Sequence, residues 1–169
     1  MTEDPRSTVL ADGRTLGWHD YGTPEGRPCL FLPGSSSSGF AGAPLHEAAE
    51  RAGIRLLSLD RPGLGVSDCA PARPLGAWPA DVTELLDQLG IDRIGVLGHS
   101  AGGAFALAAA QHLGNRATAV VVCAGSGPYA EAWYREASAQ TATSRAYYAL
   151  ARHAPRIFGA LLSSGTART

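Results

Sequence analysis

Val96-Leu97-Gly98-His99-Ser100-Ala101-Gly102-Gly103 joins two unlike segments of the chain. Before it, the apolar run Ile94 to Leu97 reads as a short buried strand. After it, Ala104-Phe105-Ala106-Leu107-Ala108-Ala109-Ala110 is a run of strong helix formers. A serine therefore sits at the tip of a sharp strand-to-helix turn. Such a turn strains the backbone of Ser100 and is tolerated only where the neighbours are small. Gly98 and Gly102 leave room for strand and helix to close on each other. The serine oxygen is then held above the sheet edge, at a helix N-terminus whose dipole favours developing negative charge. Strand, Gly-x-Ser-x-Gly and helix together form a nucleophile elbow, and Ser100 is the candidate nucleophile.

Working outward, the chain alternates strands and helices. Residues 1–8 read as a loose terminus. Val9-Leu10, the turn Ala11-Asp12-Gly13-Arg14 and Thr15 to His19 form a predicted hairpin. Cys29-Leu30-Phe31-Leu32 is a continuous apolar strand broken by Pro33-Gly34-Ser35. Leu45, Ala48, Ala49 and Ala52 recur at helical spacing up to Gly53, and Ile54 to Leu59 is another buried strand. Trp78, Val82, Leu85, Leu86 and Leu89 mark an amphipathic helix closing at Gly90. Ala119 to Cys123 is a further strand. Beyond Gly127-Pro128 only helix-compatible stretches remain: Ala130–Ala139, Arg145–His153 and Arg156–Leu162. The expected fold is α/β, a mostly parallel sheet of about six strands, the first two antiparallel, with helices on both faces. Residues 1–128 form the core with the elbow at 98–102, and residues 129–169 a helical tail.

The 169 residues are enough for one domain with a real core. A net charge of −1 offers no electrostatic footprint for nucleic acid or an anionic membrane. The polar, acidic start Met1 to Arg6 is unlike a signal peptide, and no run approaches the roughly 18 apolar residues that span a bilayer. Three widely spaced cysteines, Cys29, Cys69 and Cys123, suit a reducing, cytoplasmic setting, with Cys29 and Cys123 as buried free thiols in apolar runs. No His/Cys cluster has metal spacing. Gly63-Leu64-Gly65 is not a dinucleotide fingerprint, because Asp68 stands where its third glycine would be. No cofactor or metal is expected.

Three motifs together resemble the α/β-hydrolase fold, in its single-domain esterase and peptidase-like branch. They are Gly98-His99-Ser100-Ala101-Gly102-Gly103, Asp60-Arg61-Pro62-Gly63-Leu64-Gly65-Val66-Ser67, and Gly17-Trp18-His19-Asp20-Tyr21-Gly22 ahead of the strand that ends in Pro33-Gly34-Ser35. The resemblance spans residues 8 to about 128, and the helical tail resembles the start of the cap, or lid, of such enzymes. It implies that Ser100 is the nucleophile and that the Ala101 N–H is one oxyanion-hole donor. The second donor would come from the loop after the third strand, at Ser35 with Gly34 beside it. The family usually carries His-Gly in that loop. Either Pro33 replaces the histidine, or a short His-Gly-x segment is missing and the loop is shorter.

The triad order in this fold is Ser, then Asp or Glu, then His. After Ser100 the only acids are Glu131 and Glu136, and the only histidines His112 and His153. His112 lies about 18 Å down the helix that starts at the serine, too far to act as base. A base would then have to come from His153, in the helical tail, or from a partner chain. The family's acid and histidine follow two further strands that this sequence lacks, which implies a C-terminally shortened member. Loss of those strands would leave Val120-Val121-Val122 as an unpaired apolar edge and predicts self-association.

Other residues have plainer readings. His99 adjoins the nucleophile but points away from it; His19 reads as a hydrogen-bonded core residue and His46 as a surface residue. Asp60 is expected to fix its turn through bonds to backbone N–H groups. Ser35 to Ser38 form a loop at the site entrance. Trp133, Tyr134, Tyr147 and Tyr148 could line an acyl pocket, but at helical spacing they read first as packing. Two functions fit: a serine hydrolase acting on small-molecule esters or related acyl compounds through Ser100, or a truncated, catalytically incomplete hydrolase fragment that is inactive or only binds ligand.

Overall fold

Alternation of side chains along each strand sorts the core into two layers. Leu30, Leu32, Leu57, Leu59, Ile94 and Val96 are buried in one cluster, while Phe31 and Leu56 are buried in another, with Cys29 and Leu97 packed against it. The strands that carry these residues therefore bury both faces, which requires cover above and below. In the computed structural model, residues 4–70, 73–127, 131–132 and 141–166 are described. The chain divides into two compact units, Met1–Ser126 and Gly127–Thr169.

The first unit contains six strands: β1 (Arg6–Val9), β2 (Thr15–Gly22), β3 (Arg27–Leu32), β4 (Ile54–Leu59), β5 (Ile94–His99) and β6 (Ala117–Cys123). They form one sheet in the order β1-β2-β4-β3-β5-β6. β2 runs antiparallel to both its neighbours, and β4, β3, β5 and β6 are parallel. The α/β fold with a mostly parallel six-stranded sheet is thus as the sequence predicts. β1 starts at Arg6, inside the stretch expected to be loose, because Arg6 to Val9 pair with Trp18 to Thr15.

Three helices cover this sheet. On one face a 3-10 turn (Gly39–Leu45) leads into α1 (His46–Arg51). On the other face α2 (Pro79–Gln88) and α3 (Gly102–Leu113) pack on the larger cluster. Val82, Leu85 and Leu86 are fully buried at i, i+3, i+4 spacing, and Trp78 meets Phe105 of α3 edge-on at 5.2 Å.

In the second unit, α4 (Ala142–His153) is capped by Thr141, whose Oγ1 accepts from the Ser144 N–H at 3.1 Å. α5 (Pro155–Thr166) follows at once, and Tyr147 packs edge-on against Phe158 at 4.7 Å. Tyr147 therefore serves helix packing, as its spacing suggests. Most of the predicted stretch Ala130–Ala139, with Trp133 and Tyr134, lies outside the described residues.

Candidate active site

The sheet order makes one crevice. β3 lies between β4 and β5, and the chain leaves β3 over the α1 face but leaves β5 through α3 on the opposite face. At such a switch point the two connections diverge and leave an opening beyond the carboxyl ends of the strands. The residues at those ends are Pro33-Gly34-Ser35 after β3 and Ser100 after β5.

Ser100 has φ +52°, in the left-handed region that side chains avoid. The turn is held by the Ser100 N–H donating to the Cys123 carbonyl at 2.9 Å, and by the Gly103 and Ser126 N–H groups donating to the Ser100 carbonyl. Its tightness depends on missing side chains. A Cβ on Gly102 would stand 2.0 Å from the Leu32 carbonyl oxygen, and one on Gly98 would meet Ala106, Gly102 and Gly103 at 2.7–2.8 Å. The glycines predicted to let strand and helix close are those that do so.

The second wall approaches from β3. Leu32 pairs with Gly98, so the following loop runs beside His99 and Ser100. A Cβ on Gly34 would lie 3.4 Å from the Ser100 Cβ. Ser36 in this loop and Ala124 after β6 also have positive φ, at +57° and +49°. The three positive-φ residues other than glycine among the described residues thus all follow the carboxyl ends of β3, β5 and β6. In the first unit, the N–H groups of Ala101 and Ser35 donate to no described acceptor.

The third wall is the loop after β4. Asp60, fully buried, accepts from the Gly39 N–H at 2.6 Å and the Val66 N–H at 2.9 Å, which is the turn-fixing role its position suggests. Arg61 beside it, a residue the sequence reading did not single out, donates from Nη2 to the Gly34 carbonyl. Its guanidinium lies 4.9 Å over the Phe105 ring, and burial pushes its pKa below the ordinary arginine value. Ser35, Ser36, Arg61, Trp78 and Phe105 line a cavity of about 490 Å³ that opens here.

The histidines and cysteines are distributed otherwise. His99 lines a separate apolar cavity of about 290 Å³ with Phe31, Leu97 and Cys123, and its Nδ1 lies 3.5 Å from where a Cβ on Gly34 would stand, against the same loop that packs beside Ser100. His19 is buried as expected, but its Nδ1 has no hydrogen-bond partner; the ring stacks on Tyr21 at 5.8 Å instead. His46 is not a free surface residue: its Nδ1 accepts from the Gly22 N–H at 2.9 Å and ties α1 to the end of β2. Cys123 is exposed, not buried, because β6 is the outermost strand. Cys29 is half-buried, and burial pushes its thiol up to about 11, which keeps it protonated and a poor nucleophile at neutral pH. His112 is in the last turn of α3, far along the helix from Ser100. His153 ends α4 in the second unit. Among the described residues of the first unit, no side chain hydrogen-bonds the Ser100 hydroxyl, and no described group of His, Cys, Asp and Glu could hold a metal. No described helix is long and apolar enough to cross a membrane.

A model of the alpha/beta hydrolase family matches residues 29–168. A Mycobacterium phage D29 protein provisionally named as a non-heme haloperoxidase is 36% identical over 124 residues, 70% of this chain and 43% of that protein. Among solved structures, a hypothetical protein from Pseudomonas aeruginosa PAO1 superposes with TM-score 0.65 at 28% identity, over 79% of this chain and 48% of the other. A hydrolase from Pseudomonas aeruginosa superposes with TM-score 0.68 at 24% identity, over 94% of this chain and 65% of that one. The chain thus spans about half the length of the first relatives it matches.

Proposed function

The chain belongs to the alpha/beta hydrolase family, and on that premise we propose that it is a serine hydrolase of small-molecule esters or related acyl compounds. The observation that carries this reading is Ser100 itself, at φ +52° on a strand-turn-helix with the Gly34 loop packed beside it. In the proposed reaction the Ser100 oxygen attacks the substrate carbonyl. The N–H of Ala101 and those of Ser35 or Gly34 hold the oxyanion, a role in which one donor is worth about 100- to 1000-fold in rate. The serine proton passes to a histidine, and within this sequence the proposed base is His153. The same base returns the proton to the leaving group, and water then releases the acyl group from Ser100.

Residues 129–169 are proposed as a cap- or lid-like segment, and three unpaired cysteines support a cytoplasmic setting. Neither nucleic acid nor a membrane is part of the proposal. The test is hydrolysis of a short-chain nitrophenyl ester by the purified chain, beside Ser100→Ala and His153→Ala. Turnover abolished by both substitutions supports the reading with His153 as base. Turnover that survives Ser100→Ala assigns the chemistry to another residue, and no turnover at all favours a fold that only binds; either result overturns the reading.

A further inference from the structure

Among the described residues, two arginines line the 490 Å³ cavity and no acidic residue does. Arg73 is neutralised: its Nη1 donates to Asp81 at 2.8 Å and its Nη2 to the Ala77 carbonyl. Arg61 is not. It is 7% exposed, and among the described residues no carboxylate lies within ion-pair distance of it. Its one hydrogen bond goes to the Gly34 carbonyl, and its buried Nε has no partner. Nη1, which makes no hydrogen bond among the described residues, is the nitrogen left to face the cavity. Trp78, on the same cavity, also carries a buried N–H without a partner. A buried cation without a counter-charge is costly, since it loses water and gains no anion. Stacking on Phe105 offsets part of that cost but satisfies no donor.

Position links this charge to the nucleophile. Arg61 bonds the carbonyl of Gly34, the residue whose α-carbon faces Ser100. Phe105, over which the guanidinium lies, is in the first turn of α3, the helix that starts two residues after Ser100. We propose that Arg61 is the specificity-determining residue of the cavity and binds a carboxylate carried by the substrate, so that the chain acts on acyl esters bearing a second, ionised carboxyl a few carbons from the scissile carbonyl. This rests on the Ser100 reading for the reaction, though not for the binding. Arg suits the role because its planar fork can hold one acceptor on the Gly34 loop while it offers further N–H donors to a carboxylate.

Two measurements on the full chain separate the claims. Calorimetric binding of glutarate, beside binding of its dimethyl ester to the Ser100→Ala chain that lacks the nucleophile, needs no turnover. Glutarate is expected to bind about ten- to a hundred-fold more tightly than the diester, more weakly at high salt, and equally well to Ser100→Ala. Arg61→Met is expected to remove that preference, and Arg61→Lys to restore part of it. Turnover is then compared for 4-nitrophenyl hydrogen glutarate and 4-nitrophenyl pentanoate, with kcat/KM expected to favour the charged ester and Arg61→Met to lower it for that ester alone. Equal binding of glutarate and its diester, or an Arg61→Met loss equal for both esters, overturns the proposal and leaves Arg61 as a brace for the Gly34 loop. Glutarate binding without turnover of either ester keeps the anion site and overturns the hydrolase reading instead.

Discussion

Ser100, Ser36 and Ala124 each sit in a left-handed backbone geometry that costs a residue with a side chain about 1–3 kcal/mol. All three occur where strands end at the same crevice, so the strain is concentrated at the candidate site. What holds Ser100 there is close approach of backbone to backbone. Gly102 is the tightest point, because its missing Cβ would collide with the Leu32 and Pro33 carbonyls at 2.0 and 2.5 Å. Neither carbonyl can retreat without disturbing the pairing of β3 with β5. Gly102→Ala is therefore expected to lower stability by about 3 kcal/mol. Gly76→Ala, whose Cβ would meet nothing within 4 Å, is expected to change it by less than about 0.5 kcal/mol. Urea midpoints measure both, and equal midpoints would contradict the close-approach account.

Among the elements, α2 shows what a sequence reveals and what it hides. Val82, Leu85, Leu86 and the stop at Gly90 were legible because a 3.6-residue period and a positive-φ glycine are local signals. Asp81, buried on the same helix, was not, because its meaning comes from partners elsewhere. Arg14 reaches it from 67 residues away with bonds of 3.0 and 2.8 Å, and Arg73 adds a third at 2.8 Å. That cluster ties α2 to the β1–β2 turn and raises the Arg14 pKa above its ordinary value. Asp81→Asn leaves Arg73 without its carboxylate partner and Arg14 with only the exposed Asp12, and is expected to cost about 2–4 kcal/mol. A chemical melt within about 0.5 kcal/mol of the parent would contradict this. The same limit explains the site. The elbow is written in eight consecutive residues, whereas Arg61 gains its place only once β4 lies beside β3 and Phe105 lies under the guanidinium. The one local hint was a charged Asp60-Arg61 pair directly after the strand end Leu56-Leu57-Ser58-Leu59. His46 was misread for a related reason, since its acceptor role depends on α1 crossing the end of β2.

At the scale of the molecule, the sheet among the described residues ends at β1 on one side and at β6 on the other, and the β6 side is apolar. Val120, Val121 and Val122 are 41%, 51% and 39% exposed, so valines on both faces of the outermost strand meet solvent. An unpaired parallel strand of this composition is a template for another chain. Light scattering is expected to show mass rising with concentration, and Val121→Lys to suppress the rise; a concentration-independent monomer would count against edge pairing. The topology that leaves β6 open also gathers the ends of β3 and β5 at one crevice, and everything proposed for the function depends on Ser100 being reactive there. The most direct measurement is the intact mass of the chain after treatment with a fluorophosphonate, followed by peptide mapping. In that reaction the Ser100 oxygen forms a bond to phosphorus, fluoride leaves, and the serine proton goes to the base. The account predicts a single adduct on Ser100, absent from Ser100→Ala. No adduct, or one on another residue, would contradict it.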